Sequence, residues 1–221
     1  MNPEDRTRRK IFLIGDSIRY GTWDKSSPGY GIYVKEKLKD RADVFAPDDN
    51  CRFAQYTLRY LHEWAGALDG GAVDTVHWNN GLWDVARICG DEPLTPVDVY
   101  VGMLKRVYAR IRQLFPQAKV IFATSTPVLE ERAYTDFYRR NAEIQEYNER
   151  AKELMRSLDV EIDDLYAVAA AWDESAYADW VHFNAWACEA LADAVIRLLE
   201  LAGLIDISLE DIYDFMKEPE Y

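Results

Sequence analysis

Residue types that together activate a hydroxyl group occur near both ends of this chain. Ser17 follows a run of four apolar residues (11–14), a glycine and an aspartate. Asp179 stands three residues before His182. A serine hydroxyl is a weak nucleophile at neutral pH, so it needs a base within hydrogen-bonding distance and a third group that orients the base. These residues therefore predict a nucleophile, Ser17, a base, His182, and an acid, Asp179.

The spacing of Asp179 and His182 has a mechanical reason. A carboxylate three residues before a histidine in a turn can accept a hydrogen bond from the ring Nδ1 and leave Nε2 directed at a serine. This hydrogen bond fixes the tautomer of the ring and stabilises the imidazolium that forms when the ring takes a proton. We therefore expect these two residues to form a catalytic triad with Ser17.

Acyl transfer also needs hydrogen-bond donors for the negative charge that develops on the carbonyl oxygen. The backbone N–H of Ser17 is one candidate, because it lies where a predicted strand turns into a helix and has no helical acceptor there. Asn79 and Asn80 follow another predicted strand and offer side-chain amides, and the backbone of Cys51 offers a further N–H. Asn79, Asn80 and Cys51 are therefore all candidates to join the Ser17 N–H as oxyanion donors.

Apolar runs of strand length alternate with longer helical patterns along the chain, which is typical of parallel βαβ units. The predicted strands are 10–15, 42–46, 72–79, 118–124 and 159–162, and the predicted helices are 30–39, 54–66, 97–115, 136–157 and 184–202. We therefore predict an α/β fold in which helices cover both faces of a doubly wound parallel sheet, as a three-layer α/β/α sandwich. Such a sheet binds its ligand outside the carboxyl ends of the strands, where Ser17 and the turns 79–81 and 125–127 lie.

Length and composition suit one globular domain. The chain has 221 residues, of which 49% are hydrophobic, enough to bury a substantial core without disulfides. We assign residues 1–203 to this domain and 204–221 to an acidic, amphipathic C-terminal tail. The tail could dock on the domain, join a second subunit or stay loose, so a homo-oligomer is left open.

Net charge and cysteine content indicate which binding partners and which kinds of structural site the sequence disfavours. A formal net charge of −13 disfavours nonspecific binding to nucleic acid or anionic lipid, because proteins that bind them neutralise phosphates with Lys and Arg. The three cysteines have no close pair and predict neither a disulfide framework nor a CxxC metal site. The chain begins with polar residues and has no apolar run of roughly 18 residues, so we predict no membrane anchor. We expect a cytoplasmic protein that acts on a small molecule.

The segments around Ser17 and His182 resemble signature blocks of the SGNH or GDSL-type hydrolases, a family of serine esterases and lipases. Residues 14–18 match the first block, with Ser17 at the nucleophile position, and residues 179–182 match the Asp-x-x-His block that carries the acid and the base. The resemblance spans most of residues 10–202. It implies a flavodoxin-like sheet of five strands and the hydrolysis of small acyl esters through a covalent acyl-enzyme, without a cofactor.

Two blocks depart from the family pattern. Cys51 stands where the family usually has an oxyanion glycine, and the resemblance implies that its backbone N–H fills that role. Trp83 stands where the family pattern Gly-x-Asn-Asp has its asparagine. The resemblance therefore gives Trp83 a place in the acyl pocket and gives the oxyanion amide to Asn79, with Asn80 as the alternative.

Several charged residues near these blocks have a structural as well as a functional interpretation. Arg52, like Arg19, could bind a carboxylate of the substrate, although a loop arginine is more often solvated or paired with an acid. Asp16 and Asp84 are interpreted as residues that hold loops by accepting backbone N–H bonds.

The leading prediction is a carboxylic ester hydrolase. Family analogy, together with seven tryptophans, suggests an O-acetyl group on a carbohydrate as the substrate. The second hypothesis is a non-catalytic, ligand-binding protein of the same fold, and it is motivated by Trp83 and Cys51.

A third hypothesis is a metal-dependent hydrolase. Carboxylates at strand ends together with a histidine can hold a divalent ion. The ligand set would be Asp16, Asp84, Asp179 and His182. This set lacks a second histidine, and the leading prediction assigns no metal site.

Overall fold

The computed structural model describes residues 8–22, 24–68 and 72–206 of the chain. The strands are β1 (Arg9–Ile14), β2 (Ala42–Phe45), β3 (Thr75–Asn79), β4 (Arg87–Ile88), β5 (Lys119–Ala123), β6 (Phe137–Tyr138) and β7 (Glu161–Asp163). Five of them form a parallel sheet in the order β2-β1-β3-β5-β7, while β4 and β6 pair antiparallel in a separate two-stranded sheet. The predicted five-stranded, doubly wound parallel sheet is confirmed.

Seven α-helices occur among the described residues. They are α1 (Ser17–Tyr20), α2 (Tyr30–Leu38), α3 (Ala54–Gly66), α4 (Val97–Leu114), α5 (Asn141–Ser157), α6 (Leu165–Ala169) and α7 (Ala185–Leu201). Helix α2 packs against α7, α3 packs against α4, and α4 packs against α5. The helices flank the sheet, which confirms the predicted three-layer α/β/α arrangement. Within the described part of the chain, no helix combines the length and the apolar composition needed to cross a membrane.

The centre of the core is formed by strands with apolar side chains on both faces. Residues 11–14 of β1 are at most 1% exposed, and every residue of β3 is buried. Such continuous buried runs are typical of parallel strands that helices cover on both sides. Because β1 lies between β2 and β3 in the sheet, Ser17 at its carboxyl end has a neighbouring strand end on either side.

One predicted helix begins later than the sequence indicates. The pattern predicts a helix over 136–157, but α5 begins at Asn141, because two aromatic residues form β6 and pair with β4. Arg140 still has extended backbone angles, with φ −118° and ψ 132°. Aromatic side chains favour strands, and this tertiary pairing outweighs the helical periodicity. As a result, Arg139 lies beside the turn that follows β3, where it donates to the carbonyl of Leu82.

The predicted C-terminal tail lies mostly outside the described residues. Of residues 204–221, the structure describes 204–206. Ile205 is 5% exposed and belongs to the core. Arg41 donates to the carbonyl of Asp206 at 2.9 Å and forms an ion pair with Glu200 at 2.5 Å. The first residues assigned to the tail therefore pack on the domain.

Candidate active site

Ser17 lies at the junction of β1 and α1. Asp16 caps the start of α1, and its Oδ1 accepts a hydrogen bond from the N–H of Ile18 at 2.9 Å. Gly15 allows the turn to close, because a Cβ atom at this position would lie 2.9 Å from the Cβ of Arg19. The turn leaves Ser17 8% exposed, and its backbone N–H has no acceptor among the described residues.

Ser17, His182 and Asp179 form a continuous hydrogen-bonded chain. The Oγ of Ser17 lies 2.8 Å from Nε2 of His182, and Nδ1 of His182 lies 2.7 Å from Oδ2 of Asp179. The other oxygen of Asp179 accepts hydrogen bonds from the backbone N–H groups of Val181 and His182 at 2.6 and 2.7 Å. The fold thus places a hydroxyl next to a base whose second ring nitrogen faces a carboxylate, which is the arrangement that activates a serine.

Hydrogen bonds keep the Asp179 carboxyl ionised. Burial raises the pKa of this carboxyl, but the hydrogen bonds from the side chain and backbone of His182 and from the backbone of Val181 outweigh burial, so the net pKa is lowered. An ionised Asp179 holds a proton on Nδ1 of His182 and leaves Nε2 free to accept one from Ser17.

The loop that carries Asp179 and His182 is closed by its own backbone. The N–H of Ala178 donates to the carbonyl of His182 at 2.7 Å, and Tyr177 and Phe183 form an antiparallel bridge. Immediately afterwards, Asn184 caps α7 by accepting a hydrogen bond from its first turn at 3.2 Å. These contacts fix the shape of the loop that carries the imidazole.

The two neighbouring asparagines after β3 have different hydrogen-bond partners. Asn79 is 6% exposed and donates one side-chain N–H to the carbonyl of Ala123 at 2.9 Å, so its second N–H has no acceptor among the described residues. Asn80 is fully buried and donates to the carbonyl of Arg52 at 2.8 Å and to Oγ1 of Thr57 at 2.9 Å. Of these two side chains, only Asn79 keeps an N–H without an acceptor among the described residues, which favours Asn79 as the donor to a substrate oxygen. The alternative, Asn80, stays a prediction.

The backbone amide of Cys51 also has an acceptor within the protein. Its N–H donates to the carbonyl of Gly15 at 3.2 Å, and the residue is fully buried. This bond ties the loop after β2 to the end of β1. Because this N–H already has an acceptor, it is less available to a ligand, and the role of Cys51 as an oxyanion donor stays a prediction.

Trp83 and Arg52 both lie on loops at the carboxyl edge of the sheet. Trp83 is partly exposed, and its ring centroid lies 6.0 Å from that of Phe137. Arg52 lies over the ring of Tyr56 at 4.7 Å and makes no ion pair within the described part of the chain. Contact of either side chain with a substrate stays a prediction.

Asp16 and Asp84 are buried carboxylates that accept backbone N–H bonds. Both oxygens of Asp84 lie 3.2 Å from the N–H of Ala54 at the start of α3, and burial raises the pKa of this carboxyl to about 7. Burial also raises the pKa of Asp16. Among the residues that the structure describes, no three His, Cys, Asp or Glu side chains come together as a set that could hold a metal ion. The predicted metal ligands therefore do not form one cluster.

Two buried arginines near the site carry no motif in the sequence. Arg19 donates to two backbone carbonyls of the loop 47–49, at 3.0 and 2.6 Å, so its guanidinium holds that loop. Arg139 is 4% exposed and donates to the carbonyl of Leu82. It lies in a stretch with a helical pattern, where no local signal distinguishes it from its exposed neighbour Arg140.

This chain is similar to several known proteins. The model of the GDSL-like lipase/acylhydrolase family matches residues 13–190. The GDSL esterase/lipase CPRD49 of Arabidopsis thaliana is 24% identical over 219 residues, which cover 88% of this chain and 80% of the relative. A lipase/acylhydrolase from Enterococcus faecalis has a TM-score of 0.72 at 22% identity, covering 90% of this chain and 98% of that one. An acetyl xylan esterase has a TM-score of 0.68 at 17% identity, covering 86% of this chain and 99% of that one.

Proposed function

Because the chain belongs to the GDSL-like lipase/acylhydrolase family and is an ester hydrolase, we propose that Ser17, His182 and Asp179 are its catalytic triad. The observation that supports this assignment is the chain of hydrogen bonds, at 2.8 and 2.7 Å, that links the three side chains. Ser17 and His182 are 165 positions apart in the sequence. A hydrogen bond between residues so far apart supports the proposal, because nucleophilic acyl transfer needs a base next to the hydroxyl group.

In this proposal the reaction proceeds in two halves. The Ser17 oxygen attacks the ester carbonyl carbon while Nε2 of His182 takes the hydroxyl proton, and the carbonyl electron pair moves to the oxygen. The tetrahedral intermediate then collapses, the bond to the alcohol oxygen breaks, and the imidazolium returns its proton to the departing alkoxide. Water attacks the acyl-serine with His182 again as the base, and this releases the carboxylic acid and restores Ser17.

Two donors are proposed for the oxyanion. The Ser17 backbone N–H and the second side-chain N–H of Asn79 are both without acceptors among the described residues. Preorganised donors of this kind stabilise the transition state without having to reorganise during the reaction.

The proposed substrates are small acyl esters, with O-acetyl groups on carbohydrates as the leading class. The partly exposed ring of Trp83 beside the site supports a sugar, because an aromatic ring offers a flat apolar surface with few internal degrees of freedom. The likeness to an acetyl xylan esterase points in the same direction. The net charge of −13 favours neutral over anionic substrates.

Binding without turnover is a second candidate function. Its support is the loss of oxyanion donors, since the Cys51 amide and both N–H groups of Asn80 are paired within the protein. Each missing donor of this type costs a serine hydrolase about 10²- to 10³-fold in turnover.

A covalent probe separates these two functions. The wild type, Ser17→Ala and the control Ser157→Ala would be treated with a phosphonate ester and weighed intact, and p-nitrophenyl acetate turnover would be measured in parallel. Ser157 is an exposed serine at the end of α5. We expect one adduct and turnover in the wild type and the control, with both lost in Ser17→Ala. A folded wild type that neither reacts nor turns over the ester would favour binding alone.

The substrate class needs a separate comparison. Rates on acetylated xylo-oligosaccharides would be compared with rates on p-nitrophenyl esters of increasing acyl length. A higher kcat/KM on the acetylated sugars would support the carbohydrate proposal, and a preference for long acyl chains would contradict it.

A further inference from the structure

Arg139 is a buried cation that the proposed chemistry does not use. It follows β6 and is 4% exposed. Burial lowers the pKa of its guanidinium to about 10, although Asp16 and Asp179 oppose this effect. The group is therefore still charged at neutral pH. A buried charge is costly unless nearby groups compensate it, so its surroundings indicate what it does.

The side chain of Arg139 contacts both loops that carry candidate catalytic residues. Its Nε donates to the carbonyl of Leu82, and its guanidinium carbon lies 5.8 Å from the ring centroid of Trp83 in the same turn. On the other side, it lies 5.3 Å from the ring centroid of Trp180, which directly follows Asp179. One side chain therefore bridges the turn after β3 and the loop of the acid and base.

The charge of Arg139 acts on both carboxylates near the nucleophile. Oδ2 of Asp16 is enclosed and has no hydrogen-bond partner among the described residues. Burial has the largest effect on the pKa of Asp16, followed by its hydrogen bond from Ile18, and Arg139 is the strongest of the nearby cations that lower it. Asp179 in turn stabilises the charged form of Arg139. Arg139 therefore interacts electrostatically with the carboxyl groups of both Asp16 and Asp179.

Among the described residues, Arg139 makes no hydrogen-bonded ion pair. Nη1 and Nη2 of Arg139 have no acceptor among the described residues, since its one hydrogen bond is made by Nε. Arg19, the other buried arginine at this edge, is different, because backbone carbonyls of the loop 47–49 take its donors. Arg139 is therefore placed to set the electrostatic environment of His182 from the side of Asp16 and Asp179.

We propose that Arg139 is a positioning residue of the active site, which holds the turn after β3 against the His182 loop and balances the charges of Asp16 and Asp179. Without it, these carboxylates would stabilise the imidazolium of His182 more strongly, and the ring would keep its proton to higher pH. This role rests on the proposed assignment of His182 as the catalytic base.

The test follows the protonation of His182 directly rather than through turnover. The chain has three histidines, at 62, 77 and 182, so their ring signals can be resolved by NMR in histidine-labelled protein. The signal of His182 is the one that is missing from the spectrum of His182→Gln. The variants are Arg139→Met, which removes the charge, and Arg139→Lys, which keeps it. The matched control is Arg140→Met, because Arg140 is exposed and lies over Tyr138 at 5.5 Å. Melting temperature and kcat would be recorded for each protein.

We expect Arg139→Met to move the His182 titration to higher pH by about 0.5 to 1 unit. Arg139→Lys should leave the titration in place but lower kcat roughly tenfold, because an ammonium cannot reproduce the planar stacking and donor geometry of a guanidinium. The control should change neither quantity. If Arg139→Met does not fold, Arg139→Gln, which keeps a donor for the Leu82 carbonyl, carries the same expectation.

An unchanged His182 titration in Arg139→Met, or in Arg139→Gln where that variant replaces it, with only the melting temperature lowered, would overturn the proposal and leave Arg139 a structural residue. The NMR titration does not depend on catalysis. A wild type that neither reacts with a phosphonate nor hydrolyses esters would therefore contradict the proposed triad. A shift of the titration in that inactive protein would still establish the charge effect of Arg139.

Discussion

At the residue scale, the candidate site depends on which N–H groups are free rather than on which residues are polar. Asn79 and Asn80 are chemically identical neighbours, but Asn80 uses both side-chain hydrogens on Arg52 and Thr57 while Asn79 uses one on Ala123. The same distinction separates the amide of Ser17 from that of Cys51. A paired donor stabilises the fold, and only an unpaired donor can stabilise a transition state.

This difference predicts opposite phenotypes for two adjacent substitutions. Asn79→Ala should lower kcat by about 10²-fold or more with a small change in stability. Asn80→Ala should cost roughly 2 to 4 kcal/mol of unfolding free energy, because it leaves several buried groups without partners, while kcat per folded molecule changes little. Turnover normalised by phosphonate titration, together with urea unfolding, measures both effects. A large loss of kcat in Asn80→Ala alone would exchange the two assignments.

The sequence predicts the residues of the candidate triad but not the state of the donors. Ser17, Asp179 and His182 can be identified because their chemistry is encoded in short segments. The pairing of Cys51 and Asn80 cannot, because their partners, Gly15 and Thr57 among them, come from other segments. Arg139 could not be predicted for the same reason, since only tertiary structure brings it to the carbonyl of Leu82.

At the scale of elements, the turn after β3 is the most constrained part of the site. Gly81 has a φ of +152°, and a Cβ atom there would lie 2.2 Å from Oγ of Ser125, which follows β5. The turn therefore packs closely against the neighbouring strand end. This contact fixes the positions of Asn79 before it and of Leu82, the acceptor for Arg139, after it.

Gly81→Ala should destabilise the protein by about 1 to 3 kcal/mol, from the steric clash and the unfavourable φ together. Ser125→Ala should recover the steric part, and it should be nearly neutral alone because its buried Oγ has no hydrogen-bond partner among the described residues. A double-mutant cycle in urea isolates this coupling. Gly102→Ala, at a position in α4 with open space around it, is the control and should not destabilise. A double-mutant cycle with no coupling energy would contradict the close contact between Gly81 and Ser125.

The central strands can be predicted because their local sequence pattern and their position in the folded core favour the same structure. Residues 11–14 are apolar on both faces, as a strand covered on both sides requires. The stretch 136–157 is predicted less well, because its helical periodicity begins before the helix does. Pairing of β6 with β4 decides that boundary, and such long-range pairing leaves no periodic signal in either segment alone.

At the scale of the whole molecule, an acidic chain places carboxylates inside the fold as well as on its surface. The net charge is −13, and both Asp16 and Asp84 are at most 1% exposed beneath the carboxyl edge of the sheet. Burial raises the pKa of each. Stability at this edge should therefore depend on pH in the direction opposite to that of an ion-paired carboxylate.

Asp84 gives this dependence a definite sign. Burial raises the pKa of Asp84 to about 7 in the folded protein, against about 3.9 in an unfolded chain. The folded state binds this proton more tightly, so the stability linked to Asp84 is complete below about pH 4 and is lost as the pH rises through about 7. Asp84→Asn keeps an acceptor for the N–H of Ala54 and does not titrate.

The stability of Asp84→Asn relative to the wild type should therefore increase by about 2 to 4 kcal/mol between about pH 4.5 and about pH 7.5. Urea unfolding followed by tryptophan fluorescence at several pH values measures this difference. Asp40→Asn, at an exposed aspartate, is the control and should differ from the wild type by a constant amount. A constant difference for Asp84→Asn as well would mean that Asp84 ionises as easily inside the fold as in the unfolded chain. In that case, the hydrogen bonds to Ala54 would be strong enough to offset its burial.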